Sequence, residues 1–118
     1  MKIKQQIKGA IRKLFTRSDL YKEVLINSIH PTIKGKRGGK QYICSVCGNT
    51  FQQKDIQVDH INPVIPIGKK IDDLDYNDIY NNIFCGKDNL QVVCKDCHKL
   101  KSTEERKLRK HYGKMENN

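Results

Sequence analysis

Apolar residues recur at helical spacing from the first turn of the chain. Ile3, Ile7, Ala10, Ile11, Leu14 and Phe15 alternate with Lys, Gln and Arg. The pattern predicts an amphipathic basic helix. Its stripe lacks a Trp anchor, so it reads as facing a core or DNA rather than a membrane surface. Ser18 is a suitable cap for a second helix with Leu20, Tyr21, Val24 and Leu25 on one side, and Pro31 is its expected stop. Residues 34–40, KGKRGGK, read as a flexible basic loop, since three glycines disfavour regular structure. Such a loop either drapes over phosphates or serves as a disordered connector. Strand signals follow at Gln41–Ile43 and at Ile56–Ile61, and Pro63 and Pro66 exclude a long central strand beyond that point. Residues 67–88 form an acidic excursion with a short helix predicted over 73–84, carrying Leu74, Ile79, Tyr80 and Phe84. A strand at Leu90–Val93 precedes a charged helix from Cys97 to Tyr112, with Leu100, Leu108 and Tyr112 as its sparse apolar face. No internal repeat or low-complexity tract interrupts the pattern.

Composition narrows this picture. With 118 residues the chain has room for one domain, and 36% hydrophobic residues without a Trp leave a small core. Such a core needs a metal, disulfides or a partner to be stable. The net charge of +10 favours a polyanion as partner. That charge is uneven. Residues 1–43 hold 11 Lys/Arg against two acids, residues 44–93 hold four against seven, and residues 94–118 hold eight against four. Two basic ends flanking an acidic middle suit contact with a nucleic-acid backbone, although a Lys-rich wet helix face would also produce part of the pattern. No apolar run approaches the ~18 residues of a membrane span, so no membrane is expected. The lysine-broken N-terminus does not read as a signal peptide.

Four of the five cysteines fall in two C-x-x-C pairs, Cys44/Cys47 in CSVC and Cys94/Cys97 in CKDC. A chain without a secretory signal has little use for a disulfide framework, whereas four thiolates match tetrahedral Zn2+. Gly48-Asn49 after the first pair suits the tight turn of a zinc knuckle. The ion would clip two distant segments together, which is where loop closure helps a small core most. Cys85 is left over and reads as a buried free thiol. CKDCH also satisfies the C-x-x-C-H haem attachment pattern, but that reading requires export and strands CSVC without partners.

Asp59-His60 sits in the strand-like stretch QVDHINPV, Asn89-Leu90 opens the second strand, and His98 follows CKDC directly. Each alone has an ordinary explanation as a turn, surface pair or helix start. The paired cysteines bring the segments together, and the set CSVCG, VDHINPV and NLQVVCKDCHKLKS resembles the HNH endonuclease family. The resemblance covers about residues 44–105 and looks most like the small phage-type members. It implies an α+β fold: a small zinc-stabilised ββα-metal (HNH, or His-Me) finger with additional N-terminal helices. The corresponding division is a basic N-terminal helical region and loop at 1–43 and a nuclease core with its C-terminal helix at 44–118.

Carried over by position, the resemblance implies that His60 is the general base that activates water. Asp59 and His98 bind the catalytic divalent cation, and Asn89 helps to position the base. Cys44, Cys47, Cys94 and Cys97 hold a structural zinc, and Lys101 is a candidate phosphate contact. Lys36, Arg37 and Lys40 of the basic loop are further candidate DNA contacts from charge alone. The chemistry is coherent. A neutral imidazole accepts a proton from water, and a cation held by one carboxylate and one imidazole keeps positions open for phosphate. That oxygen-nitrogen pair suits Mg2+, Mn2+ or Ni2+, whereas thiolates select Zn2+. Asp59 and His60 are adjacent, so a straight strand would send them to opposite faces; joint action requires the strand to end, twist or bulge there.

The expected function is metal-dependent hydrolysis of DNA phosphodiester bonds, as a nick or a double-strand cut. The expected partners are double-stranded DNA and, in a phage setting, a terminase or other DNA-processing proteins, in the cytoplasm of a bacterial or phage-infected cell. A non-catalytic zinc-stabilised nucleic-acid-binding module is the alternative, and a protein-interaction zinc domain a weaker third. Sequence preference, oligomeric state and pathway are not legible in the residues.

Overall fold

The computed structural model describes residues 3–116. The chain folds as a mixed helical and small-sheet structure. Its order is α1 (Ile3–Thr16), α2 (Asp19–Asn27), β1 (Ile29–Lys34), β2 (Lys40–Ile43), β3 (Thr50–Phe51), β4 (Ile56–His60), α3 (Tyr76–Ile83), β5 (Leu90–Cys94) and α4 (Lys95–Glu116). Strands β1, β2 and β3 form one antiparallel sheet in that order, and β4 pairs with β5 in a second. None of the described helices is long and apolar enough to cross a membrane.

Local signals start the first two helices. In α1 the inward line is Ile11 and Phe15, while Ile3, Ala10 and Leu14 remain exposed. Ser18 caps α2 by accepting a hydrogen bond from the Tyr21 N–H at 3.2 Å, and Asp19 adds negative charge to the first turn. Pro31 is not the stop. The helix ends at Asn27, and Pro31 lies within β1. β1 is an edge strand with irregular register between Ile29 and Lys34, where a residue without an N–H costs no ladder bond.

The KGKRGGK segment is likewise ordered rather than structureless. It closes the β1–β2 hairpin through a 3-10 turn at Lys36–Gly38, with Gly35 N–H donating to the Gly39 carbonyl at 2.7 Å. Arg37 and Gly38 both take positive φ (62° and 73°), a conformation glycine supplies without strain. After β2 the chain makes a knuckle over residues 44–48. Gly48 has φ 76° and donates to the Cys44 carbonyl at 2.9 Å.

β4 and β5 pair in unbroken antiparallel register from Ile56↔Cys94 to His60↔Leu90. The excursion between them returns the chain through a 3-10 turn at Ile71–Asp73 and α3, which starts at Tyr76 because Asp75 and Asp78 form a reciprocal capping box. Ile79 and Ile83 of α3 are fully buried and pack into one core with Phe15, Val24, Leu25, Val58, Val92 and Val93. Residues from 1–43 and 44–118 therefore share that core. α4 reverses the expected polarity: Leu100, Leu108 and Tyr112 are 68%, 47% and 44% exposed. It faces the rest of the molecule with polar residues instead, because what it covers is a charged cleft beside β4 and not the apolar core.

Candidate functional site

Two clusters of chemically capable side chains lie on the β4–β5 hairpin. The first is at its Cys94 end. Cys44 and Cys47 come from the knuckle, Cys94 ends β5, and Cys97 lies in the first turn of α4. The Ser45 N–H donates to the Val92 carbonyl at 2.8 Å and pins the knuckle to β5. The four Sγ atoms all lie within 4.8 Å of one another. Zn–S bonds of ~2.3 Å set tetrahedral edges of about 3.8 Å, so only a small contraction separates the cluster from a closed site. Backbone N–H groups already point at sulfur, from Cys94 to Cys44 Sγ at 3.4 Å and from Cys97 to Cys94 Sγ at 3.5 Å.

Their effect is to prepare a thiolate. Burial pushes the Cys44 thiol up, but hydrogen bonds from the backbone of Cys47, Cys94 and Val46 outweigh it and bring it down to about 6. Cys97 is pushed up to about 12, first by its hydrogen bond to the Cys94 sulfur, then by burial and its other thiol neighbours. One thiolate thus discourages the next, and a cation is what lets all four ionise together. These four cysteines fit a metal ion such as zinc.

The second cluster lies at the other end of the hairpin. Asp59 Oδ1 is 3.8 Å from His98 Nε2, and Oδ2 is 3.2 Å from Lys101 Nζ. Oδ2 also accepts from Nε2 of Gln91, its cross-strand partner, at 3.4 Å. Lys101 further donates to the His60 carbonyl at 2.9 Å and pairs with Glu105. Burial acts to lower the Lys101 pKa, but Glu105 and Asp59 outweigh it and raise it. The ammonium therefore neutralises the aspartate. A divalent ion bound at ~2.1 Å by both Asp59 and His98 would hold cis donors about 3 Å apart, so the pair fits one after an approach of under about 1 Å.

His60 is 5% exposed and the only buried polar side chain among the described residues. Its ring centroid is 5.1 Å from that of Phe15. Its Nε2 is 2.8 Å from the Ile83 carbonyl. A carbonyl only accepts, so Nε2 is the donor in this contact, and Nδ1 is the ring's other nitrogen, the acceptor in that tautomer. Asn89 acts on the turn that follows. Its Oδ1 accepts from the Asn62 N–H at 2.8 Å, its Nδ2 donates to the Asn62 carbonyl at 3.3 Å, and its own carbonyl accepts from the Ile61 N–H at 2.8 Å. The half-buried Cys85 receives a weaker Asn89 Nδ2 contact at 3.7 Å and stands apart from the thiol cluster.

Burial alternates along β4: Ile56, Val58 and His60 are buried, Gln57 and Asp59 half-buried. Asp59 and His60 thus project to opposite sides of a regular strand, toward α4 and toward α1 and α3 respectively. The strand ends at His60, however, and both residues line one open cleft of about 250 Å³ together with His98 and Lys101. The same cleft is lined by Lys8 and Arg12 of α1 and by Glu105 and Arg109 of α4, which the sequence reading did not single out. Their signal was present as spacing. Lys8 and Arg12 are one turn apart, and Glu105 and Arg109 continue the His98–Lys101 stripe of α4. Lys36, Arg37 and Lys40 are exposed on the β1–β2 hairpin and do not line the cleft. No family model, curated protein or solved structure matches the chain.

Proposed function

We propose that the chain is a metal-dependent endonuclease of the HNH type, hydrolysing phosphodiester bonds of double-stranded DNA. The observation that carries this reading is one cleft lined by a buried, singly committed imidazole and by an aspartate–histidine pair 3.8 Å apart. His60 is the general base. With its Nε2 proton held by the Ile83 carbonyl, Nδ1 accepts the proton of the attacking water. Packing against Phe15 and the Asn89 clamp on the following turn keep the ring ordered before substrate arrives.

Asp59 and His98 hold the divalent cation, and Mg2+, Mn2+ and Ni2+ suit that donor pair. When bound, the cation supplies charge stabilisation to the phosphate and the leaving 3′ oxygen. Lys101, freed from Asp59, offers its ammonium to a phosphate oxygen. The four cysteines hold a structural zinc that ties the knuckle to β5 and α4, and so fixes the helix carrying His98 and Lys101 against the strand carrying Asp59.

A second reading, a zinc-stabilised nucleic-acid-binding module without catalysis, is favoured by one observation: Lys101 already neutralises Asp59. Supercoiled plasmid incubated with protein and Mg2+, Mn2+ or Ni2+ separates the two. Nicking that needs the added metal and disappears in His60→Ala is the expected result. Binding without cleavage in every metal would establish the module instead.

A further inference from the structure

Three cations meet in the cleft without a carboxylate of their own. Lys8 and Arg12 project from α1 and Arg109 from α4, and all three line the cleft. Arg109 is fixed in place, its Nη2 donating to the Ile65 carbonyl at 2.6 Å. Arg12 also lines a small adjoining recess with Phe15 and His60, which sets it beside the proposed base. None of the three has an ion-pair partner among the described residues. The two carboxylates that line the cleft are engaged elsewhere, Asp59 with Lys101 and His98 and Glu105 with Lys101. Burial, then the charges of Arg12 and Arg109, lower the Lys8 pKa, so the three lie within electrostatic reach of one another. Like charges held together in a partly buried cleft are relieved by an anion, and two guanidinium groups match the oxygens of phosphate.

The position of this cluster separates it from the metal pair. His98, Lys101, Glu105 and Arg109 form one stripe of α4. At 1.5 Å per residue, the Arg109 backbone lies about 16 Å along the helix from that of His98, so the two side chains enter the cleft from opposite ends of that stripe.

We propose that Lys8, Arg12 and Arg109 form a second phosphate site, which grips a backbone phosphate of duplex DNA adjoining the scissile one on the side away from Asp59 and His98. The assignment to DNA rests on the endonuclease reading. The site would make α1, outside the HNH-like segment, part of the substrate track.

The test uses the full chain carrying His60→Ala, loaded with zinc and no other metal, and a fluorescent duplex read by anisotropy. Adding Lys8→Gln with Arg12→Gln should raise Kd about tenfold at moderate salt and reduce the slope of log K against log salt by about two. Lys22→Gln with Lys54→Gln removes the same charge from exposed positions outside the cleft and should raise Kd by less than about threefold. Lys8→Arg with Arg12→Lys should bind as the parent does. Unchanged Kd in the Lys8/Arg12 double variant, with zinc content and helical signal intact, would overturn the proposal. So would equal weakening by the two double variants, which would mark diffuse attraction. The endonuclease reading fails separately. If the wild-type chain cuts DNA in no metal while the Lys8/Arg12 loss persists, the phosphate site stands without it.

Discussion

The two ends of the β4–β5 hairpin carry opposite kinds of chemistry on one scaffold. At the Cys94 end, four sulfurs face one another within 4.8 Å, with backbone N–H groups as their hydrogen-bond donors. At the His60 end, each donor has a partner. His60 is bonded to the Ile83 carbonyl, and Asp59 to Lys101 and Gln91. The first set is closed, and a cation completes it. The second is open, and Lys101 sits on Asp59 Oδ2, the carboxylate oxygen beside the one that faces His98. A structural centre is thus recognised by donors that converge on one point. Donors that line an open cleft instead leave room there for a further ligand.

Substitutions at the two ends should separate these roles. Cys94→Ala should have the largest effect. Losing a structural zinc removes on the order of 10 kcal/mol of metal-coupled folding, so zinc content and the thermal transition should vanish together. His60→Ala should keep its zinc and a cooperative melt, while plasmid nicking falls about 10²–10⁴-fold. Its melt should shift downward, because the buried Ile83 carbonyl loses its donor at a cost of ~1–3 kcal/mol. Loss of zinc in both variants would erase the contrast between the two ends.

Asn89→Ala should leave zinc intact and slow nicking about tenfold, since the turn after His60 is freed and the proposed base loses its fixed position. An unchanged rate would show that Phe15 and Ile83 suffice to hold the ring. Lys101→Met should have the smallest effect and the opposite sign in metal binding. Removing the ammonium from Asp59 should lower the half-saturating Mn2+ concentration about fivefold, the equivalent of one partly screened ion pair. A raised Mn2+ requirement in a direct binding titration would show that Lys101 organises the aspartate rather than competes for it.

Much of the scaffold was legible from local signals. The α1 periodicity, the Ser18 cap, the β4 and β5 segments and the spacing of the two C-x-x-C pairs all depend on residues a few positions apart. Strand β1 was hidden because Pro31 suggests a break, and β3 because two residues carry no period; both exist through pairing with β2. The docking side of α4 was misread because Leu100 and Leu108 suggest an apolar face, yet the helix sits over a polar cleft.

What the sequence determined by itself is the thiol donor set, since cysteine type and spacing are written in the chain, whereas Asp59, His60, Asn89 and His98 are candidates through the resemblance of their segments to the HNH family. Only the tertiary structure decided the rest: that Lys101 lies on Asp59, that Ile83 accepts from His60, and that Lys8, Arg12 and Arg109 complete the cleft. Those contacts depend on where α1, α3 and α4 dock. Docking is set by long-range packing such as Phe15 against His60, Tyr21 and Phe84, which no local period encodes.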